Sequence, residues 1–225
     1  YAFEPDPMLG TGCSQTVSQT VTVHRNDPVD FGGLSATYCQ NDSPVLLSGS
    51  FGAGSFTCSA PGNLGITNHL TAGVPNGTAT FDPSVLSPGN YTITYTYTNS
   101  QGCVSTKVKS VQINAKPIIY TVTGGGAYCK GAAVGASVQL SGSEDGVVYE
   151  LLLNGLSLSP AVTITGAVGG GAITFTDVKG VGNYSVMALS PSGCSLAMTG
   201  NVVVSQSELT LVTSKNNETC DSKND

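Results

Sequence analysis

Seven cysteines divide the chain at nearly constant intervals, and this spacing limits the possible folds more than any other feature. They stand at positions 13, 39, 58, 103, 129, 194 and 220. With Cys58 set aside, the intervals are 26, 64, 26, 65 and 26 residues, so two kinds of cysteine each recur every 90 or 91 residues. A fixed period of this length is typical of an array of similar structural units.

Short stretches of sequence return with the same period. Gly-Cys occurs at 12–13, 102–103 and 193–194, and Tyr-Cys occurs at 38–39 and 128–129. Leu-Ser-Gly-Ser and Gly-Asn-Tyr also each occur twice, at 47–50 and 140–143 and at 89–91 and 182–184. We therefore expect two whole repeats, at 27–116 and 117–207. Residues 1–26 then supply the C-terminal hairpin of a preceding repeat and 208–225 the start of a following one, within a longer parent protein.

Composition and pattern predict an all-β fold. Only 10% of the residues are charged, Trp is absent and glycine is abundant, so the strong helix formers Lys, Glu and Gln are scarce. Short alternating or β-branched segments, such as YTITYTYT at 91–98, are separated by clusters of Gly, Pro, Asn and Asp. Six or seven such strands in about 90 residues predict tandem immunoglobulin-like β-sandwich repeats.

A row of aromatic residues in this segment can be read in two ways. Tyr91, Ile93, Tyr95 and Tyr97 share one side of an extended strand, as either a ligand-binding platform or half of a core. The same register returns before the other Gly-Cys sequences, at Tyr1 and Phe3 and at Tyr184 and Val186. Because a one-residue slip would turn the row to solvent, the shared register favours the core. The Gly-Asn-Tyr sequence also predicts a tyrosine corner, whose hydroxyl bonds back to the backbone.

Several classes of function are disfavoured. A net charge of −6 with eight Lys plus Arg lacks the basic surface that nucleic acid requires, and no apolar stretch is long enough to span a membrane. The two histidines, His24 and His69, accompany no nucleophile-elbow sequence. We predict no enzyme activity, no cofactor and no metal site. A calcium ion held by Asp27 and Asp30, where residues 1–26 meet the first whole repeat, is a disfavoured alternative, because calcium needs six or more oxygen ligands.

Three longer segments carry a family resemblance: GSFTCSAPGN at 54–63, the run from Phe81 to Cys103, and the run from Gly124 to Gly155. They resemble the tandem repeats of giant Bacteroidota cell-surface proteins, which include gliding-motility adhesins and other cargo of the type IX secretion system. The resemblance implies extracellular display, attachment to the outer membrane through regions outside this chain, and filaments of sandwich repeats. It also implies as partners the neighbouring repeats, surface polysaccharide or substratum, and the secretion or gliding machinery. Cys58 departs from it, since those repeats usually carry a small polar residue there.

Surface export implies an oxidising setting, in which disulfides persist. We predict the pairs Cys39–Cys103 and Cys129–Cys194, with Cys58 a free thiol and the partners of Cys13 and Cys220 outside this chain. A rival scheme joins each Gly-Cys cysteine to the next Tyr-Cys cysteine, as Cys13–Cys39, Cys103–Cys129 and Cys194–Cys220. The strand after each Gly-Cys, about ten residues long, carries the chain roughly 30 Å away and disfavours that scheme. The preferred scheme has its own weakness, because a full strand before Cys39 would put this residue at the wrong end of the sandwich.

Two functions fit these observations. The first is a non-catalytic repeat segment of a large adhesin or filament that serves surface adhesion and gliding motility. The alternative is a spacer or carbohydrate-binding sandwich module of a secreted hydrolase.

Overall fold

The computed structural model describes residues 18–69 and 77–208. Its strands fall into two groups, here called the first and the second sandwich. The first contains two 3₁₀ turns, Pro61–Asn63 and Pro83–Val85. Its strands among the described residues are β1 (Phe31–Gly32), β2 (Thr37–Cys39), β3 (Val45–Gly49), β4 (Ser55–Cys58), β5 (Ile66–His69), β6 (Thr78–Phe81), β7 (Gly89–Thr98) and β8 (Val104–Asn114).

The second sandwich follows after a short connection. Its strands are β9 (Val122–Cys129), β10 (Ala136–Leu140), β11 (Val148–Leu153), β12 (Leu156–Thr165), β13 (Ile173–Val178), β14 (Gly182–Leu189), β15 (Ser195–Ala197) and β16 (Val202–Ser207). No helix in the part of the chain that the structure describes is long and apolar enough to cross a membrane.

The first sandwich consists of two four-stranded sheets, in the orders β1-β3-β6-β5 and β2-β8-β7-β4. Aromatic contacts join the two sheets: the ring centroids of Phe31 and Phe56 lie 5.3 Å apart, and those of Tyr38 and Phe81 lie 5.4 Å apart. Most strand pairs are antiparallel, but β2 runs parallel to β8. The short strand β2 therefore ends beside the end of β8, the last strand of the first sandwich.

The second sandwich has the same two layers, joined through β9. This strand pairs with β10 over Val122–Gly125 and then runs parallel to β16 over Gly126–Cys129. Gly124, Gly125 and Gly126 lie where β9 passes from one layer to the other, and all three have positive φ. A Cβ atom on Gly124 would lie 2.4 Å from a backbone oxygen, so only glycine fits there.

Each sandwich has its own core. One cluster of buried side chains lies between Phe31 and Ile113, and the other lies between Val122 and Val204. Two layers of short strands around each core confirm the predicted tandem immunoglobulin-like sandwiches.

The tyrosine row forms part of these cores, as its shared register predicts. Ile93 and Tyr95 are fully buried, Tyr91 and Tyr97 pack partly buried against them, and Tyr184 is 1% exposed. Tyr1 and Phe3 lie outside the described residues.

The predicted tyrosine corners are confirmed in both sandwiches. The Tyr91 hydroxyl donates to the carbonyl of Ser87 at 3.0 Å, and the Tyr184 hydroxyl donates to that of Gly180 at 2.9 Å. In each case the acceptor lies four residues earlier, so the hydroxyl ties the entry of the strand to the preceding loop.

The β-branched run at 17–23 falls within the hairpin of a preceding repeat expected at 1–26, most of which lies outside the described residues. Residues 18–30 form no regular secondary structure. Val21 and Val23 are 77% and 88% exposed. A strand forms only with neighbours that accept its backbone hydrogen bonds, and the described residues provide none for this run.

Candidate functional site: the disulfide-linked joint

The junction between the two sandwiches, here called the joint, has one half in each sandwich. The half in the first sandwich is the end of β2. Cys39 lies opposite Asn114, the last residue of β8, and its backbone N–H donates to the carboxylate of Asp42 at 2.8 Å. The backbone N–H of Asp42 in turn donates to the Cys39 carbonyl at 3.0 Å. This reciprocal turn fixes the cysteine at the end of the first sandwich that faces the connection.

The second half is the turn that follows β14. The Cys194 N–H donates to the Ser190 hydroxyl at 3.1 Å, and the Cys194 carbonyl accepts the Ser190 N–H at 2.9 Å. Because β14 is antiparallel to β16, this turn lies at the end of the second sandwich where β9 begins. The two halves therefore face each other.

A disulfide bond joins the halves. Cys39 and Cys194 are bonded with their Cα atoms 5.6 Å apart, within the usual range for a disulfide, across a sequence separation of 155 residues. Cys194 is fully buried. Beside the bond, the Asn41 side-chain amide donates to the backbone carbonyl of Ser195 at 2.9 Å. The two sandwiches are thus connected twice by covalent bonds, once through the chain and once through sulfur.

This pairing corrects the prediction of Cys39–Cys103 and Cys129–Cys194. Cys103 stands just before β8 starts, whereas Cys39 lies beside the residue at which β8 ends. Ten residue steps of extended chain separate these two places by roughly 33 Å. Cys129 and Cys194 lie at opposite ends of the second sandwich for the same reason.

The rival scheme is also wrong for the cysteines that the structure describes. Cys39 and Cys194 are bonded to each other, and Cys103 and Cys129 are thiols. Cys13 and Cys220 lie outside the described residues.

Cys58 is a free thiol at the end of β4 and is buried in the first core. Its backbone N–H donates to the Asn63 side-chain oxygen. The thiol therefore contributes to packing rather than to a reactive surface.

Asp27 and Asp30, the two acidic residues considered for calcium binding, already interact with other groups of the protein. The carboxylate of Asp30 accepts the Phe31 N–H at 2.8 Å and pairs with the Lys109 ammonium at 3.1 Å. Both interactions lower the pKa of Asp30, the backbone hydrogen bond most. Asp27 accepts a hydrogen bond from Asn99 at 3.2 Å. Among the described residues, no group of three or more His, Cys, Asp or Glu side chains could hold a metal ion.

Two surface features bear on ligand binding. A concavity of about 190 Å³ in the second sandwich is lined in part by aliphatic side chains and in part by Tyr184 and the Asp177–Lys179 ion pair (3.1 Å). In the first sandwich, the half-buried rings of Phe51 and Tyr97 stack at 4.4 Å with an interplanar angle of 14°. Each ring covers one face of the other.

Comparisons with known proteins give distant likenesses. No protein-family model matches the chain, and no curated protein matches it. Among solved structures, the chain is similar to murine CEACAM1b, at 14% identity over 80% of this chain and 100% of that chain, with a TM-score of 0.39. It is also similar to fibronectin(III)-like modules of Clostridium thermocellum CbhA, at 14% identity over 79% and 94% of the two chains, with a TM-score of 0.36. The Yersinia pseudotuberculosis adhesin InvE is similar at 16% identity over 78% and 58%, with a TM-score of 0.30. Likenesses this weak carry no conclusion about function.

Proposed function

We propose that this chain is a non-catalytic repeat segment of a large cell-surface adhesin or filament, which serves surface adhesion and gliding motility. Its repeats are residues 27–116 and 117–207, with parts of neighbouring repeats at 1–26 and 208–225. The resemblance of its sequence to giant Bacteroidota surface repeats, exported by type IX secretion, supports this proposal.

The Cys39–Cys194 bond is the observation that carries the proposal. Two sandwiches joined only by the connection between Asn114 and Val122 could rotate about it. A second covalent link at the same joint restricts that rotation, because both links must be satisfied together. Repeats joined in this way extend as a stiff rod, which suits a filament that holds a binding surface away from the cell.

The same disulfide bond supports the proposed location at the cell surface. Disulfides persist in oxidising compartments, which include the cell surface. The proposal includes attachment to the outer membrane through regions outside this chain. Its proposed partners are the neighbouring repeats, surface polysaccharide or substratum, and the type IX secretion or gliding machinery.

Immunogold electron microscopy of intact cells tests the proposal. With antibody raised against the full 225-residue chain, we expect gold along filaments that extend from the outer membrane. Antigen found only in the medium, with unlabelled cells, would overturn the filament function.

A second candidate function is a carbohydrate-binding module of a secreted hydrolase. The Phe51–Tyr97 stack favours it, because aromatic faces bind the apolar faces of sugars. However, both rings are half-buried and already cover each other, so little free ring face remains.

Isothermal titration with soluble oligosaccharides distinguishes the two candidates. The adhesin proposal expects no binding that depends on this stack. Binding by the natural chain that is lost in Phe51→Ala, but kept in Tyr91→Phe, would establish the carbohydrate-binding module instead.

A further inference from the structure

Three cysteines of the described residues have no disulfide partner. Two of them, Cys103 and Cys129, occupy the same places in their repeats as the two bonded cysteines. Cys129 follows Cys39 by 90 residues, and Cys103 precedes Cys194 by 91 residues. Both are thiols; Cys129 is exposed to solvent and Cys103 is half-buried. Their surroundings show how far the equivalence extends.

Cys129 repeats the backbone setting of Cys39. Cys129 lies opposite Ser207, the last residue of β16, as Cys39 lies opposite Asn114, the last residue of β8. The residue after each cysteine donates its N–H to the carbonyl of that last strand residue, at 2.9 Å and 3.0 Å respectively. The third residue after each cysteine donates to the carbonyl of the cysteine, at 3.0 Å in both.

Cys103 repeats the setting of Cys194. The carbonyl of each cysteine accepts the N–H of the residue four positions earlier, Asn99 or Ser190, at 3.0 Å and 2.9 Å. The N–H of each cysteine donates to the side-chain oxygen of that same residue, at 2.9 Å and 3.1 Å. Each of the two cysteine settings therefore occurs twice among the described residues. Only one pair of them is joined, by the Cys39–Cys194 bond.

The arrangement gives each sandwich two unlike ends. One end carries a Tyr-Cys cysteine beside its last strand, and the other carries a Gly-Cys cysteine in its hairpin turn. The Cys39–Cys194 bond joins unlike ends of successive sandwiches. Contacts between unlike ends do not close on themselves in a pair, so the same contact can be repeated along a series.

We propose that Cys129 forms a disulfide with the Gly-Cys cysteine of the sandwich that follows it, and that Cys103 bonds to the Tyr-Cys cysteine of the sandwich that precedes it. Each joint of the array then carries one bond of the Cys39–Cys194 type. The sequence has the same two kinds of cysteine at Cys13 and Cys220, which lie outside the described residues. The pairing is a property of the repeats and does not depend on adhesion.

Bond formation needs an oxidant, for which we name a small-molecule disulfide such as oxidised glutathione. The thiolate of Cys129 attacks one sulfur of that disulfide and releases one glutathione thiol. The partner thiolate then attacks the mixed disulfide and releases the second. Two protein thiols thus lose two electrons and two protons, and one oxidised glutathione is reduced to two glutathione molecules.

A duplication variant tests the proposal. A second copy of residues 117–207, which contain a core of their own, is inserted after residue 207 of the full chain. The protein is folded in a glutathione redox buffer. Thiols are then alkylated, and disulfides are mapped by mass spectrometry of non-reduced peptides. The peptides of the two copies can be distinguished, because their flanking residues differ.

We expect Cys129 of the first copy to be bonded to Cys194 of the inserted copy, with the Cys39–Cys194 bond retained. The insertion adds two cysteines and should therefore add no free thiol. In the matched control, Cys129→Ser in the first copy, we expect one additional alkylated thiol, at Cys194 of the inserted copy.

Two results would overturn the proposal. The first is alkylation of Cys129 in the first copy while Cys39–Cys194 is intact, since the intact bond shows that the sandwiches have folded. The second is loss of both bonds, which would refute the joint from which the inference is drawn. Neither result bears on filaments at the cell surface, so the failure of this proposal is distinguishable from that of the adhesin function.

Discussion

The Cα atoms of Cys39 and Cys194 lie 5.6 Å apart, although 155 residues separate them. The bond therefore closes a loop that includes most of both sandwiches. Closing a loop of this length lowers the conformational entropy of the unfolded chain. In the chain-entropy treatment, this raises the free energy of unfolding by about 5 kcal/mol. Native disulfides commonly contribute about 2–5 kcal/mol.

We expect Cys39→Ser to lower the free energy of unfolding by about 2–5 kcal/mol, because the unfolded chain is then no longer restricted. Urea unfolding followed by circular dichroism measures the change, since the chain has no Trp for fluorescence. Cys129→Ser is the matched control, as it removes the equivalent exposed thiol without breaking a bond. Equal destabilisation by the two substitutions would show that the bond does not stabilise the fold.

Pulling the chain from its two ends should reveal the same bond mechanically. The bond shields residues 40–193 from force, which is 193 − 40 + 1 = 154 residues. At about 3.5 Å per extended residue, reduction should add roughly 500 Å of contour length. Single-molecule force spectroscopy with and without reductant measures this gain. In Cys39→Ser the gain should vanish, and a gain that persists there would assign the shielding to another bond.

Gly54→Ala should destabilise the first sandwich. A Cβ atom on Gly54 would lie 2.2 Å from the ring of Tyr95, which is fully buried and anchored by its hydroxyl to the Phe51 carbonyl at 2.5 Å. Overpacking of this kind costs about 1–3 kcal/mol. Gly32→Ala is the control, because a Cβ atom there meets nothing within 4 Å. Denaturant midpoints measure both variants, and a neutral Gly54→Ala would mean that the Tyr95 ring can move aside.

Tyr184→Phe should destabilise the second sandwich by about 1–2 kcal/mol. The change leaves the aromatic ring in the core and removes the hydroxyl that donates to Gly180. It thereby leaves the carbonyl of Gly180, in a half-buried residue, without this hydrogen-bond donor. Tyr91→Phe removes the equivalent hydrogen bond at a more exposed position and should cost less. Thermal unfolding of the two variants provides the measurement, and the reverse order of stabilities would contradict the role of burial.

Asp30 should titrate below the ordinary aspartate pKa of 3.8, because the Phe31 N–H and then Lys109 stabilise its charged form. Because the pKa of Asp30 is lower in the folded state than in the unfolded state, its charge stabilises the fold at pH values above the unfolded-state pKa. This stabilisation is lost as pH falls through the folded-state pKa. NMR titration of the Asp30 carboxyl measures the shift. In Lys109→Met the pKa should rise only part of the way to 3.8, since the backbone hydrogen bond remains. A complete return to 3.8 would assign the whole shift to the lysine.

Much of the fold could be predicted from residue patterns alone. The register of Tyr91, Ile93 and Tyr95 repeats at Tyr184 and Val186, and a shared register has one physical cause, a buried face. The tyrosine corners could be predicted because the bond is local, with donor and acceptor four residues apart. In contrast, whether the β-branched run at 17–23 forms a strand depends on neighbours, which local sequence does not reveal.

The joint could not be predicted in the same way, because the cysteine period is equally compatible with two partners. Cys39 precedes Cys103 by 64 residues and Cys194 by 155, and these distances differ by one repeat of 91. The choice depends on which end of the sandwich holds Cys39. That end is set by the parallel pairing of β2 with β8, a long-range relationship with no local signal. The strand before Cys39 was the only indication, and it pointed away from Cys103.

The long reach of the Cys39–Cys194 bond also changes what a cut in the backbone can do. Any single peptide bond hydrolysed between residues 40 and 193 leaves two pieces that sulfur still holds together. If every joint is bonded likewise, each bond spans 155 residues while the next begins after about 90, so the spans overlap. Every position in the interior of the array is then covered by at least one bond. A protease in the surroundings could nick such a fibre many times, at one site per span, before it released anything.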